Sequence, residues 1–390
     1  MIEKDNYTDC IKHIKEYQKQ LICHIPEDKG IHIGLPNKFI SPTFENGIFE
    51  NDQFYWDSYF IILGLTATNE ISLAKGIVDN FAHIYNRFEI IPLRNRFFNL
   101  GISQPPFLSS MVMEIYKHIK DKKWLKKLAT VIENELSGYW MDDQRAAKHL
   151  VYSGLSRYCD HYVNHITAEH ESGWDMTSRF HSKCLDYLPV DLNSLLYKYE
   201  QDLSEIHKIL GNKEKSKKFE NQAKLRKSTI KTLMWNNTKG FFFDFDYRFK
   251  KQSKFYSIAG FYPLWAKLAT NEQVAKCVKR LKRFECKYGL ANTQKIKLKE
   301  FRQWNYPNGW PNQQWIIVKG LLNYGYKKEA EKIAKQWLDL NKKVFDKTGE
   351  FWEKYNVVTG DVGKEGRYPN QKGFGFTNGV FLKLIEEFGR

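Results

Sequence analysis

Apolar residues recur with helical periodicity along most of the 390-residue chain. Steps of four and three positions place such residues on one face of a helix, and that face then packs against a core. Between positions 208 and 235 the steps predict one buried face, in which every member except an arginine is apolar. Its members are Phe219, Ala223, Arg226, Ile230 and Leu233.

The chain repeats one arrangement of helix, glycine turn and aromatic loop. A second helical face is predicted between positions 326 and 340, and turn-forming residues ending in glycine follow both helices, at 235–240 and 346–349. An aromatic segment containing acids comes after each turn, at 241–246 and 351–356. Helices that alternate with such loops predict a closed ring of helical hairpins whose loops form a pocket at one end. The second face carries Ala330, Ile333, Ala334, Trp337 and Leu338.

No linker rich in Pro, Ser or Gly divides the chain, so we expect a single all-α domain over residues 1–390. No apolar run is long enough to span a bilayer, and residues 1–5 lack the start of a secretory signal. The six cysteines form no C-x-x-C pair, which indicates reduced thiols rather than disulfides or zinc ligands. We therefore expect a cytoplasmic protein with no membrane partner.

The formal net charge is +16, from 61 Lys and Arg against 45 Asp and Glu. Such an excess could attract nucleic acid, an anionic membrane or an acidic substrate. The basic residues are interleaved with Glu along amphipathic helices, as at 213–218, which is typical of a solvated surface. We therefore expect no nucleic-acid partner. Aromatic residues make up 15% of the chain, and their faces can stack on sugar rings or fill a large core.

The segment 171–180 places two acids, a glycine, a tryptophan and an arginine within ten residues. An acid beside Trp174 can be partly desolvated, which raises its pKa and keeps it protonated near neutral pH. A general acid requires this state, so Asp175 is a candidate. The alternative is that Asp175 caps the N-terminus of a helix.

Three further segments combine aromatic, amide and carboxylate side chains that a helix core does not need. Positions 303–315 hold three tryptophans among amides, and positions 54–60 hold an indole beside an acid. The third set joins 351–356 to the glycine-rich 373–379. Each segment alone could belong to the core, but four such loops around one helical chain predict a carbohydrate pocket.

These segments resemble the signatures of the trehalases, glycoside hydrolase family 37. The matches extend from about residue 50 to 382 and so cover nearly the whole chain. The resemblance implies an (α/α)6 barrel, a ring of six helical hairpins. The matching segments are 54–60 (family pattern YYWDSYF), 103–107 (SQPPF), 171–175 (ESGWD), 303–310 (QWDYPNGW), 353–356 (EKYD) and 373–380 (GFGWTNGV).

The resemblance also implies an inverting mechanism. The aspartate of ESGWD corresponds to Asp175, which would protonate the glycosidic oxygen, and the glutamate of EKYD to Glu353, which would activate water on the opposite face of the sugar. Inversion requires roughly 6.5–9.5 Å between the two carboxyls, which leaves room for that water. Neither metal nor cofactor is expected, because these groups account for the chemistry. Residues expected to bind the sugar substrate are Trp56, Asp57, Arg96, Gln104, Trp174, Arg179, Trp304, Asn305, Trp310 and Arg367.

The sequence departs from the family pattern at positions expected to contact substrate. Phe49 and Ile102 stand where the family has arginines, and Leu93 stands where it has an asparagine. Asn305 replaces the aspartate of QWDYPNGW. Each lost arginine or acid removes charge-assisted hydrogen bonds worth roughly 1.5–3 kcal/mol apiece, so losing several is expected to weaken trehalose binding severely unless other groups substitute.

Three functions are open on the sequence alone. The first is hydrolysis of α,α-trehalose to glucose. The second is hydrolysis of a glucosyl or mannosyl unit on an acidic aglycone such as glycerate, because the family's GGGEY segment is altered here to contain Arg367, and arginine binds carboxylates. The third is a non-catalytic protein that binds carbohydrate or nucleic acid, against which the two matched acids argue. The segment 361–371 is either a lid or an ordinary surface turn.

Overall fold

The computed structural model of the protein describes residues 2–43, 48–144, 148–296 and 301–390. Its main elements in these ranges are α-helices, and short antiparallel strands lie in the connections. The helices are Thr8–Gln20 (α1), Tyr55–Ala67 (α2), Ile71–Phe88 (α3), Leu108–Ile119 (α4), Lys122–Glu135 (α5), His165–Glu171 (α6), Val190–Ile209 (α7), Lys213–Met234 (α8), Tyr262–Trp265 (α9), Asn271–Val278 (α10), Pro311–Leu322 (α11), Lys327–Thr348 (α12) and Gly375–Phe388 (α13). The strands are Ile22–Cys23 (β1), Phe39–Ile40 (β2), Leu150–Tyr152 (β3), Leu155–Ser156 (β4), Tyr187–Leu188 (β5), Trp235–Asn236 (β6), Phe241–Phe242 (β7), Phe245–Asp246 (β8), Lys251–Gln252 (β9), Glu285–Cys286 (β10), Gly289–Leu290 (β11), Asn308–Gly309 (β12), Tyr355–Asn356 (β13) and Asp361–Val362 (β14).

Six helices form a closed inner ring in which each contacts the next: α2, α4, α7, α9, α11 and α13, with α13 packed back onto α2. Outside this ring α3 packs against α2 and α4, α5 against α4 and α7, and α8 against α7. The helix α12 covers α11 and α13, and α1 also lies against α13. One apolar core extends from Ile2 to Ile385. The structure is therefore an (α/α)6 barrel, which confirms the fold predicted from the sequence.

Burial separates the inner helices from the outer ones. Every residue of α2 from Tyr55 to Thr66 is buried, whereas α8 and α12 each bury one face only. The predicted faces of these two outer helices are confirmed, except that Met234 rather than Leu233 is buried in α8. Arg226, the polar member of the α8 face, donates to Glu200 of α7 at 2.9 and 3.0 Å, so its charge is neutralised inside the interface.

The inner ring closes where α2 crosses α13. A Cβ atom added to Gly64 would lie 2.5 Å from the Cα of Gly379, and one added to Gly379 would lie 2.2 Å from the carbonyl oxygen of Phe60. The two backbones touch because neither glycine has a side chain. This contact brings the loops that precede α2 and α13 together, although they come from opposite ends of the chain.

A buried ion cluster fixes the segment that follows Asp175. The Arg179 guanidinium donates to both oxygens of Asp191, at the start of α7, at 2.7 and 2.8 Å. It also donates to both oxygens of Asp244, between β7 and β8, at 2.6 and 2.8 Å. Arg179 is fully buried. Asp244, one of the acids in the aromatic loop 241–246, therefore binds a structural partner.

Replacing Arg179 by Met should lower the free energy of unfolding by about 3–5 kcal/mol, because Asp191 and Asp244 are left buried without a counter-charge. Urea unfolding followed by circular dichroism measures the change. The control is Arg87→Met, which breaks an ion pair to Asp28 whose side chains are 33% and 41% exposed. That change should stay below about 1 kcal/mol. Equal losses in the two variants would contradict the importance given to the buried cluster.

Candidate active site

A cavity of about 450 Å³ opens where several inner helices begin. Its walls come from the residues around the start of α2, the segment before α4, the end of α6 with the loop after it, and the segments that precede α11 and α13. Helix N-termini carry partial positive charge, which stabilises anionic groups nearby. The cavity therefore lies where carboxylates from distant parts of the chain can be held together.

Asp175 lies in the loop after α6 and lines this cavity. Burial raises its pKa to about 7, the positive charge of Arg367 acts in the opposite direction, and the charge of Glu353 adds to the increase. The loop reaches this position through Gly173, which has φ of 72°. A Cβ there would lie 2.6 Å from the Trp56 ring, so the glycine allows the loop to pack on the indole. Asp175 thus retains a proton near neutral pH.

Arg367 connects Asp175 to a histidine of α6. Its Nη1 lies 3.3 Å from Asp175 Oδ2 and 2.7 Å from His170 Nε2. Burial and the nearby Arg367 lower the pKa of His170 to about 4. The imidazole is therefore neutral near pH 7 and can accept the hydrogen bond from the guanidinium.

Glu353 lines the same cavity and both of its carboxylate oxygens have partners. Oε1 accepts a hydrogen bond from the Tyr368 hydroxyl at 2.7 Å, and Oε2 lies 2.6 Å from Lys354 Nζ. Lys354 is fully buried, and its ammonium lies 5.0 Å from the centre of the Trp310 ring. These contacts fix the orientation of the carboxylate.

Asp57 is a third carboxyl in the cavity, in the first turn of α2. It is 5% exposed, and burial, followed by the charge of Glu353, raises its pKa well above the usual range. A protonated Asp57 can donate a hydrogen bond as well as accept one. It is therefore suited to bind a hydroxyl group.

Three tryptophans line the cavity: Trp56, Trp304 and Trp310. The Trp304 and Trp310 rings stack face to face, 3.8 Å apart with an angle of 6° between their planes. The ring centres of Trp56 and Trp304 are 5.6 Å apart. The Trp310 Nε1 donates to the carbonyl of Gln303 at 3.1 Å, which fixes this ring to its own loop. Aromatic rings that line a cavity suit contact with the apolar face of a pyranose.

The structure brings together both predicted catalytic acids and six of the predicted substrate-binding residues. Asp175 and Glu353 face one cavity, and no hydrogen bond joins their carboxyls within the part of the chain that the structure describes. The six binding candidates that line the cavity are Trp56, Asp57, Gln104, Trp304, Trp310 and Arg367.

Four residues predicted to bind substrate do not line the cavity and have other contacts. Arg96 is held by Asp52, with Nε and Nη2 at 2.6 and 2.7 Å from its two oxygens. Asn305 is buried and bonds Ser178, accepting from its backbone N–H at 3.0 Å and donating to its hydroxyl at 2.8 Å. Arg179 belongs to the ion cluster described above. The fourth, Trp174, is fully buried behind Trp304, with ring centres 5.3 Å apart.

Several cavity residues were missed in the sequence. Arg94 lies with its guanidinium 5.3 and 5.6 Å from the rings of Phe54 and Phe98, and it donates to Asp52 at 2.9 Å. Its position two residues before Arg96 was the available signal, but the sequence did not show which arginine faces the cavity. The others include Asn99, His170, Tyr368, Phe374 and Phe376.

The segment 361–371 is anchored at both ends. Near its start the backbone N–H of Lys364 donates to Asn308 Oδ1, and the Asn308 amide donates back to the Lys364 carbonyl, both at 2.9 Å. At its end the last carbonyl accepts from the backbone N–H of Glu353 at 2.9 Å. Arg367 and Tyr368 lie between these anchors and line the cavity. One loop thus provides contacts to both acids; a role as a lid stays a prediction.

Within residues 2–43, 48–144, 148–296 and 301–390, no group of three or more His, Cys, Asp or Glu side chains is arranged to hold a metal ion. No helix in these ranges combines the length and apolarity that crossing a membrane requires.

Known sequences are similar to this one over most of its length. The family model described as Trehalase matches residues 32–172 and 157–389. A periplasmic trehalase from Escherichia coli is 32% identical over 397 aligned positions, which cover 90% of this chain and 69% of the relative. A periplasmic trehalase from Shigella flexneri has the same identity and coverage.

Solved structures agree with these matches. The neutral trehalase from Saccharomyces cerevisiae is 28% identical, with a TM-score of 0.81 and coverage of 90% of this chain and 74% of the yeast chain. A mannosylglycerate hydrolase of family GH63 from Thermus thermophilus has the same fold, with a TM-score of 0.75 at 17% identity over 96% of this chain and 99% of the other. The sequence matches cover 90% of the chain at 32% identity, and this extent assigns the chain to a family. This chain belongs to the trehalase family and is an inverting, trehalase-like glycoside hydrolase.

Proposed function

We propose that this glycosidase hydrolyses an α-glucoside with inversion, that α,α-trehalose is a substrate, and that Asp175 and Glu353 are the general acid and general base. The observation that carries the proposal is the pairing of these two carboxyls in one cavity. One has a pKa raised to about 7 by burial, and the other is oriented by two hydrogen-bond donors. The similarity to trehalases from Escherichia coli and Saccharomyces cerevisiae supports trehalose as substrate.

The reaction balances with these two groups and one water molecule. The water oxygen attacks the anomeric carbon as Glu353 takes one of its protons. The bond from the anomeric carbon to the glycosidic oxygen breaks, and the Asp175 proton passes to the leaving oxygen. Trehalose then yields one glucose first formed as the β anomer and a second glucose released with its α configuration. Exchange with solvent restores the proton to Asp175 and removes it from Glu353.

The other cavity residues bind and orient the sugar in this proposal. The tryptophans that line the cavity contact the apolar face of the glucose ring. Asp57 and Gln104 bind hydroxyl groups. Tyr368 and Lys354 hold Glu353 in position, and Arg367 adjusts the pKa of Asp175.

An acidic aglycone is less well supported than trehalose. Arg367, which motivated that hypothesis, lies beside the proposed acid and is half exposed. Its guanidinium, however, already contacts the Asp175 carboxyl and His170. A substrate carboxylate would have to compete with both partners.

We further propose that the protein is a single catalytic domain that works in the cytoplasm. All six cysteines are free thiols, and four of them are buried, as is usual in a reducing compartment. The bacterial relatives described above are periplasmic enzymes, however, which favours the periplasm. Fractionation of cells that produce the protein, with a periplasmic and a cytoplasmic marker enzyme, decides between the two locations.

The variants Asp175→Asn and Glu353→Gln should each reduce kcat on trehalose by about 100-fold to 10,000-fold, because each removes one proton-transfer group. Proton NMR of the released sugar measures the rate, and in the parent enzyme α- and β-glucose should first appear in equal amounts, one from each half of trehalose, before mutarotation changes the ratio. Matched controls are Asp346→Asn and Glu386→Gln, exposed acids on α12 and α13, which should retain activity. Full activity in Asp175→Asn or in Glu353→Gln would remove that residue from the mechanism.

The pH profile should report the protonated state of Asp175. Since the acid must carry a proton, kcat/KM on trehalose should fall as pH rises through about 7. The variant Arg367→Gln removes a positive charge that lowers this pKa, so the alkaline limb should move to higher pH. Arg87→Gln, an exposed residue of α3, should leave the limb in place. If the alkaline limb of the kcat/KM profile stays fixed or moves to lower pH in Arg367→Gln, Asp175 is not the group that titrates there.

A further inference from the structure

We propose that the enzyme also hydrolyses α-glucosides whose aglycone is an apolar alkyl or aryl group, and that Phe49, Leu93 and Ile102 form the surface that binds this aglycone. The inference rests on the proposed function, because it takes Asp175 as the group that protonates the glycosidic oxygen. It goes beyond trehalose, whose second sugar is covered with hydroxyl groups.

The position of the acid identifies the aglycone side of the cavity. A general acid donates to the oxygen that links glucose to the aglycone, so the aglycone lies beside Asp175, while the base acts on the far face of the glucose ring. The segment that leads to α4 passes close to the acid loop, since the backbone N–H of Ser103 donates to Glu171 Oε1 at 3.3 Å. Ile102, the preceding residue, lines the cavity at this place.

Leu93 extends the apolar surface that begins at Ile102. The backbone N–H of Leu93 donates to the carbonyl of Ile102 at 2.9 Å, so the two residues lie side by side. Both side chains line the cavity. Phe98, at its mouth, is 55% exposed and adds an aromatic edge to the same wall.

Phe49 continues this surface toward the loop that carries Arg367. Its ring centre lies 5.4 Å from that of Phe54, 5.5 Å from Tyr368 and 6.3 Å from Phe374, each approximately edge to face. The neighbouring Ile48 also lines the cavity. Apolar side chains therefore line the cavity both at Leu93 and Ile102, near the acid loop, and at Phe49, beside the ring that holds Glu353, and together they make up the apolar wall.

The charged groups near this wall are already paired. Arg94 donates to Asp52 at 2.9 Å and to Asn99 at 3.1 Å, and Arg367 contacts Asp175 at 3.3 Å. Both arginines that line the described part of the cavity thus face a carboxylate. Hydroxyl groups placed against Leu93 and Ile102 would lose water without gaining partners, whereas an apolar group would bury its surface favourably.

The test compares three substrates by proton NMR: α,α-trehalose, benzyl α-glucoside and α-glucosylglycerate. Benzyl alcohol is no better a leaving group than a sugar hydroxyl, so fast cleavage would report binding rather than leaving-group chemistry. We expect kcat/KM for benzyl α-glucoside to equal or exceed that for trehalose, with benzyl alcohol and β-glucose as the first products.

The variant Leu93→Asn replaces the wall residue by a polar side chain of similar size. It should lower the ratio of kcat/KM for benzyl α-glucoside over trehalose about tenfold, as is usual when an apolar contact is lost. Phe49→Gln, at a half-buried position, provides a second variant if Leu93→Asn does not fold. The matched control is Ile166→Asn, at a 59% exposed position of α6 outside the cavity, which should keep the ratio.

Every other outcome overturns the apolar subsite, either alone or together with the proposed function. Cleavage of trehalose but not of benzyl α-glucoside, or a ratio unchanged in Leu93→Asn and Phe49→Gln, overturns the apolar subsite and leaves the proposed function standing. A preference for glucosylglycerate also overturns the apolar subsite. A folded protein that cleaves none of the three overturns the proposed function, and the subsite with it.

Discussion

The close contact between α2 and α13 is the constraint on which the cavity depends. Gly64 and Gly379 let the two backbones touch, and a methyl group at either position would force them apart. Because of this contact, the loop that precedes α2 lies next to the loops that carry Glu353 and Tyr368, and all of them line one cavity. Closure of the barrel thus brings residues that are far apart in the sequence, such as Asp57 and Glu353, into one cavity.

Inside the cavity, one physical effect acts on several carboxyl groups and is modified differently at each. Burial raises the pKa of both Asp57 and Asp175, but Arg367 opposes the shift at Asp175 alone of the two. Glu353 instead has Lys354 and Tyr368 within hydrogen-bond distance. Differences in partners therefore help to separate the roles that the acids can take.

The sequence predicted the ring of hairpins and the loops that meet at its open end. Helical periodicity gave the outer helices, and the motif resemblance gave the closure into a barrel, which periodicity alone does not specify. Side-chain direction within the loops was not predictable. Arg179 and Asn305 look like sugar-binding residues by type, but both hold the acid loop, since buried guanidinium and amide groups bind backbone and carboxylate partners as well as hydroxyls. Phe49, Leu93 and Ile102 were identified only as lost polar groups, and the structure places all three on the lining of one cavity.

The anchored segment 361–371 carries two side chains that contact the two proposed catalytic acids. Arg367 acts on the acid and Tyr368 on the base, and they are neighbours in the chain. A displacement of this segment would remove both influences in the same movement. The environments of the two acids are therefore coupled through the position of one stretch of backbone.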